Sequence, residues 1–184
     1  MQVFYRAVRQ RLAKEWSAGH MLRSCPVFFN ITNFRLYNAA FGSEQGDRCL
    51  QRIAAILQEN FPGCLLTRLG ADHFVVLADN ADVKERIESA CHAVEEVITN
   101  PDIEMKAGIC YLEELPDEDA LHLAFEKDAA LACKSVTKDA TRHYAVYTKE
   151  MGRLHELQSY VREHLDEALS QHHIKVYCQP SSAP

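Results

Sequence analysis

Apolar positions along the chain recur at two periods, three-to-four and two, and their order predicts a fold. Phe4, Val8 and Leu12 share one face of a helix expected from about Val3 to Trp16. Pro26-Val27-Phe28-Phe29-Asn30-Ile31 is a short, almost wholly apolar run, the pattern of a central strand covered on both faces. A short helix is expected over Phe34 to Phe41, stopped at Gly42. A stronger one follows from Gly46 to about Asn60, with Leu50, Ile53, Ile56 and Leu57 inward and Pro62-Gly63 ending it. Two β-like runs, Cys64 to Leu69 and Phe74 to Leu77, flank Gly70-Ala71-Asp72-His73 and read as a hairpin.

Val83, Ile87, Ala90, Val94, Val97 and Ile98 mark a further amphipathic helix before Asn100-Pro101. Ile103, Met105, Ala107, Ile109 and Tyr111 alternate with Glu104, Lys106, Gly108 and Cys110, which is a strand period. A helix over Glu118 to Ser135 and a strand at Tyr144 to Tyr147 complete the series. This order predicts an α/β sandwich: a mostly antiparallel central sheet flanked by helices. Beyond Thr148 the pattern changes. Lys149 to Ser170 is highly charged, with Leu154, Leu157, Val161, Leu165 and Leu169 at helical spacing. That stripe spans only about two heptads, which favours an interdomain packing face over a coiled coil. Ile174 to Tyr177 then reads as a lone strand, which needs partners, so the chain is expected to break off inside the start of a second domain.

Composition narrows the class. At 184 residues, 47% hydrophobic and 25% charged, with seven Gly and six Pro, collagen-like, low-complexity and disordered readings are excluded. No apolar run approaches the roughly 20 residues of a membrane helix, and the first twenty residues lack a secretory signal's apolar core. A net charge of −6 argues against nucleic acid as a partner. Seven scattered cysteines without a C-x-x-C pair suggest reduced thiols packed as small hydrophobes in a cytoplasmic protein.

The segment FFNITNFRLYNAAFGSEQGDRCLQRIAAIL, followed by LLTRLGADHFVVL, resembles the GGDEF domain, the diguanylate cyclase module that makes cyclic di-GMP from two GTP. The resemblance covers about residues 1–147, with a helix at 148–170. LHELQSYVREHLDEALSQHHIKVYCQP looks like the opening of an EAL phosphodiesterase domain, truncated at 171–184. The family's Asp-x-Leu-Thr entry motif is missing before Met1, which predicts an N-terminal cut as well. What the resemblance implies is specific to positions. Asn30 and Thr32 stand where the family has two aspartates, and the Ile31 backbone carbonyl between them is the one turned to the metal. In the hairpin motif Gly70, Ala71, Asp72, His73 and Phe74, Ala71 replaces a glycine and His73 the glutamate, leaving Asp72 as the residual acidic position. Asn38 and Asp47 align with the pair that reads guanine. Arg35, Lys134 and Lys138 align with phosphate-contacting bases, the last two expected four apart on one helix. Phe61 and Cys64 replace the family's product-inhibition Arg-x-x-Asp.

Mg²⁺ bridging a triphosphate wants hard, preferably anionic oxygens, whereas an Asn amide is neutral and imidazole is softer. The resemblance therefore implies a degenerate module with weak or no metal binding. It would hold GTP through a guanine-complementary Asn and Asp, and regulate an adjoining EAL domain. Two alternatives stay open: an impaired cyclase, which needs a homodimer to join two nucleotides, and a structural or dimerising remnant. Residue by residue, plainer roles also exist. Asp47 suits a helix start, Asn38 a turn, Lys134 and Lys138 a solvated face, and His73 an ordinary hairpin position. Arg68, which matches the family hairpin, also suits a pairing with an acid on the sheet.

Overall fold

The computed structural model describes residues 2–19, 21–70, 72–98, 103–139 and 141–173. Ala71 and the strand expected over 174–177 lie outside them. Two units are distinguished, Met1–Thr148 and Lys149–Pro184.

In the first unit the apolar run becomes β1 (Ser24–Ile31), with every residue but Asn30 buried. It is the middle of a five-stranded sheet with β2 (Leu65–Arg68), β3 (His73–Asp79), β4 (Met105–Ile109) and β5 (Tyr144–Val146), ordered β2-β3-β1-β4-β5. Three neighbouring pairs are antiparallel and β4–β5 is parallel, so the sheet is mostly antiparallel as its strand order predicts. Burial on both faces follows from helices on both sides. On one face Val27, Phe29 and Ile31 pack with Ile53 and Leu57 of α3 (Ser43–Asn60) and Ile87 and Val94 of α4 (Val83–Val97). On the other, Phe28 packs with Val8 and Leu12 of α1 (Gln2–Gly19), and with Phe125 and Cys133.

Three elements differ from the periodicity. First, α3 begins at Ser43, directly after α2 (Phe34–Phe41) and Gly42, rather than at Gly46. Gly42 has φ of 83°, a left-handed backbone that turns the chain within one residue, so the next helix starts sooner than the glycine at 46 suggests. Asp47 therefore lies inside the helix and does not begin it. Second, the helix expected over 118–135 is three pieces: α5 (Glu118–Leu123), a π-helical segment Ala124–Ala129, and α6 (Ala130–Val136). It closes tightly on β4, where a Cβ at Gly108 would lie 1.9 Å from the Ala129 carbonyl oxygen and 2.4 Å from the Cys133 nitrogen. The alternate face of β4 is thereby covered, and all five of its residues are buried, Lys106 included. Third, α6 stops at Val136, where Asp139 N–H turns back to the Val136 carbonyl at 3.0 Å; Lys138 is in that turn, not on the helix with Lys134.

The second unit contains α7 (Lys149–Ser170). Leu154, Leu157, Val161, Leu165 and Leu169 are exposed along it. No described helix is long and apolar enough to cross a membrane.

Candidate functional site

The register of three strands sets the first half of the site. Asn30 on β1 lies opposite His73 on β3 and opposite Lys106 on β4. Directly opposed residues of antiparallel strands point to the same face, so His73, Asn30 and Lys106 form one cross-strand row. The His73 ring sits 5.0 Å from the Phe28 ring, and its Nε2 is 3.6 Å from Asp72 Oδ1. Lys106 is fully buried. Its Nζ donates to the carbonyls of Asp139 and Arg142 at 2.9 Å each and meets Glu104 Oε2 at 3.0 Å. The turn that supplies those carbonyls is itself fixed by Asp139, whose Oδ1 accepts from Thr141 Oγ1 at 2.7 Å. That hydrogen bond holds the Asp139 carboxyl below the usual carboxylate range.

Thr32 is committed to the backbone. Its hydroxyl donates to the Glu104 carbonyl at 3.1 Å and accepts from the Glu104 N–H at 3.0 Å. The Ile31 N–H donates to the Asp72 carbonyl at 3.1 Å, which brings the hairpin's acidic residue against the end of β1. Arg68 Nε donates to the Gly70 carbonyl at 2.8 Å and so braces the hairpin loop.

This donor set does not fit a Mg²⁺–triphosphate site. The row offers an amide, an imidazole and an ammonium, and no carboxylate. A unit charge about 4 Å from another is worth about 4 kcal/mol at an effective dielectric of 20, so each missing carboxylate matters. Beside the Asn30 amide, the carboxylates at hand are Asp72 and Glu104, the latter paired with Lys106, and the Thr32 hydroxyl has both its donor and acceptor roles filled.

The second half lies between α2 and α3. Asn33, in the left-handed region at φ of 55°, turns the chain into α2 and sets the helix that carries Arg35 and Asn38. A Cβ at Gly46 would fall 1.8 Å from Asn38 Oδ1, so only glycine lets that side chain lie against α3. Asn38 Oδ1 is buried and without a hydrogen-bond partner. Such an oxygen costs about 1–3 kcal/mol until a donor meets it. Asp47 is exposed one residue beyond the glycine, and Arg35, Lys134 and Lys138 are exposed.

The structure thus joins Asn30 with His73, Asp72 with the Ile31 backbone, and Asn38 with the α3 glycine that precedes Asp47. It leaves the two lysines on and beyond α6. Sequence reading missed Lys106, which the period of β4 displays only as the polar half of an alternation. Its long separation from Asn30 along the chain hides the pairing.

The family model for "Diguanylate cyclase, GGDEF domain" matches residues 5–139. No curated protein matches the sequence. Among solved structures, the fold resembles the active GGEEF domain of a Vibrio cholerae diguanylate cyclase, with a TM-score of 0.62 at 17% identity, covering 80% of this chain and 96% of that one. It also resembles the GGDEF domain of Pseudomonas aeruginosa TpbB (YfiN), with a TM-score of 0.66 at 20% identity, covering 84% and 93%. A third likeness is to the Vibrio cholerae LapD S helix-GGDEF-EAL structure bound to c-di-GMP, with a TM-score of 0.61 at 12% identity, covering 89% and 40%. With a family-model match over most of its length and a mostly antiparallel sheet flanked by helices, the chain belongs to the GGDEF family of diguanylate cyclase-type domains in cyclic di-GMP signalling.

Proposed function

We propose that this domain binds GTP without cyclising it, and acts as a nucleotide-responsive regulator of an adjoining EAL phosphodiesterase domain. The observation that carries the reading is the row His73–Asn30–Lys106, which lacks a carboxylate where cyclase chemistry needs two. Opposite that deficit stands an intact base-reading half. The unpartnered Asn38 Oδ1 suits a nucleobase N–H, and the Asp47 carboxylate suits the paired N1–H and N2–H of guanine. Adenine lacks that donor pair. Arg35, Lys134 and Lys138 supply positive charge for phosphate oxygens. The LapD likeness supports the regulatory half by example, since that protein joins a GGDEF to an EAL domain.

Regulation requires that the nucleotide bind two arrangements of the chain with different affinity. In this reading the 149–170 helix carries the difference onward. Calorimetry with GTP, GDP and ATP tests the binding step. GTP and GDP are expected to bind and ATP to bind at least about tenfold more weakly, a difference of about 1.4 kcal/mol. Loss of GTP binding in Asp47→Ala is expected too. No GTP binding at millimolar nucleotide would leave a structural remnant, and cyclic di-GMP in the mixture would establish the impaired cyclase.

A further inference from the structure

We propose that Glu88, His92 and His143 form a binding site for a divalent transition metal, zinc in the first instance, made of residues outside the His73–Asn30–Lys106 row. Glu88 and His92 stand one helical turn apart on α4, and His143 reaches them from the residue before β5. One ligand atom from each of the three lies within 4.8 Å of the others. Tetrahedral ligands at zinc distances of about 2.0–2.1 Å stand roughly 3.3 Å apart, so small side-chain rotations close the set.

A second observation concerns Glu95, one further turn along the same face. Its Oε1 is 3.0 Å from His143 Nε2 and its Oε2 is 3.3 Å from His92 Nδ1. A carboxylate accepts protons only, so these contacts place N–H on His143 Nε2 and on His92 Nδ1. A metal would then take His143 Nδ1, in place of the proton shared there with Glu88, together with His92 Nε2, while the outer Glu95 carboxylate orients both rings. His143 Nδ1 already faces Glu88 Oε2. Two imidazoles and one carboxylate match the ligand preference of zinc and leave a position for water. The nearby Cys91 thiol is buried and donates to the Met105 carbonyl, so it lies outside the set. Metal there would fasten the approach to β5 onto α4.

The test uses the 184-residue chain without an affinity tag, first titrated with zinc chloride and then with cobalt(II). One equivalent of zinc is expected to bind and raise the melting temperature, and the cobalt spectrum should show nitrogen and oxygen ligation without thiolate charge transfer. His92→Gln, at an exposed position, and His143→Gln are each expected to weaken binding at least about tenfold, and Glu95→Gln roughly tenfold through lost orientation. Circular dichroism of each variant confirms the fold. Absence of zinc binding, binding unchanged in His92→Gln, or a thiolate band in the cobalt spectrum would each overturn the proposal.

Discussion

In the proposed function, the space of a single atom governs where the Asn38 amide can lie. Gly46 faces Asn38 Oδ1 at a distance no methyl tolerates, so Gly46→Ala must push the amide out of place. The expected result is at least about a tenfold loss of GTP affinity with a melting loss of about 1–3 kcal/mol, read by calorimetry and thermal unfolding. Asp47→Ala, on the exposed surface, should lose affinity with little change in stability. Buried thiols give a second test at this scale. Burial pushes the Cys110 and Cys133 thiols up to about 12 from an ordinary value near 9, with Asp128 adding to the rise at Cys110. Their folded values lie above their unfolded ones, so the native state holds protons that the unfolded chain releases. The resulting stability is complete below about pH 9 and is lost as pH rises from there toward 12. Denaturant titrations at pH 8 and pH 10 should show the fall. Equal midpoints would contradict it.

Among the elements, β4 carries the tightest constraint. Gly108 lies under the π-helical segment, where the atoms a side chain would strike are backbone atoms that have no rotamer to change. Gly108→Ala is expected to destabilise the domain by about 2–3 kcal/mol or to block folding, whereas Gly70→Ala, where a Cβ meets nothing within 4 Å, should not. Thermal unfolding of the pair distinguishes them. The same strand shows where sequence reading ran out. Its period of two was plain, yet Lys106 read as half of an alternation because nothing local reports that a helix segment covers that face. The start of α3 was misplaced for a related reason. Gly46 looks like a helix boundary, but it is an interior glycine kept for the approach of Asn38, and Gly42 makes the turn. By contrast β1 and α4 follow their periods closely, because their apolar runs and stripes dictate which faces are buried. The resemblance in motif spacing singled out Asn30 and His73. Their direct opposition, and the ammonium on the third strand of the row, depended on register and appeared only with the fold.

At the scale of the molecule, the proposed function assigns base recognition to the α2–α3 side and a shortage of metal-binding carboxylates to the cross-strand row of one GGDEF-family domain. The two halves can be separated experimentally by restoring acids. Asn30→Asp combined with His73→Glu returns two carboxylates to the row, and Mg²⁺ should then tighten GTP binding by at least about tenfold, equivalent to about 1.4 kcal/mol. A double variant as indifferent to Mg²⁺ as the parent would show that the deficit lies elsewhere in the cleft. The parent protein's response to the metal is the direct test. GTP affinity should be measured by calorimetry in Mg²⁺ and again in excess chelator, with the mixture then assayed for cyclic di-GMP. The expected result is one affinity within about twofold in both buffers, and no product. A Kd that rises tenfold or more on chelation, or accumulation of cyclic di-GMP, would contradict it.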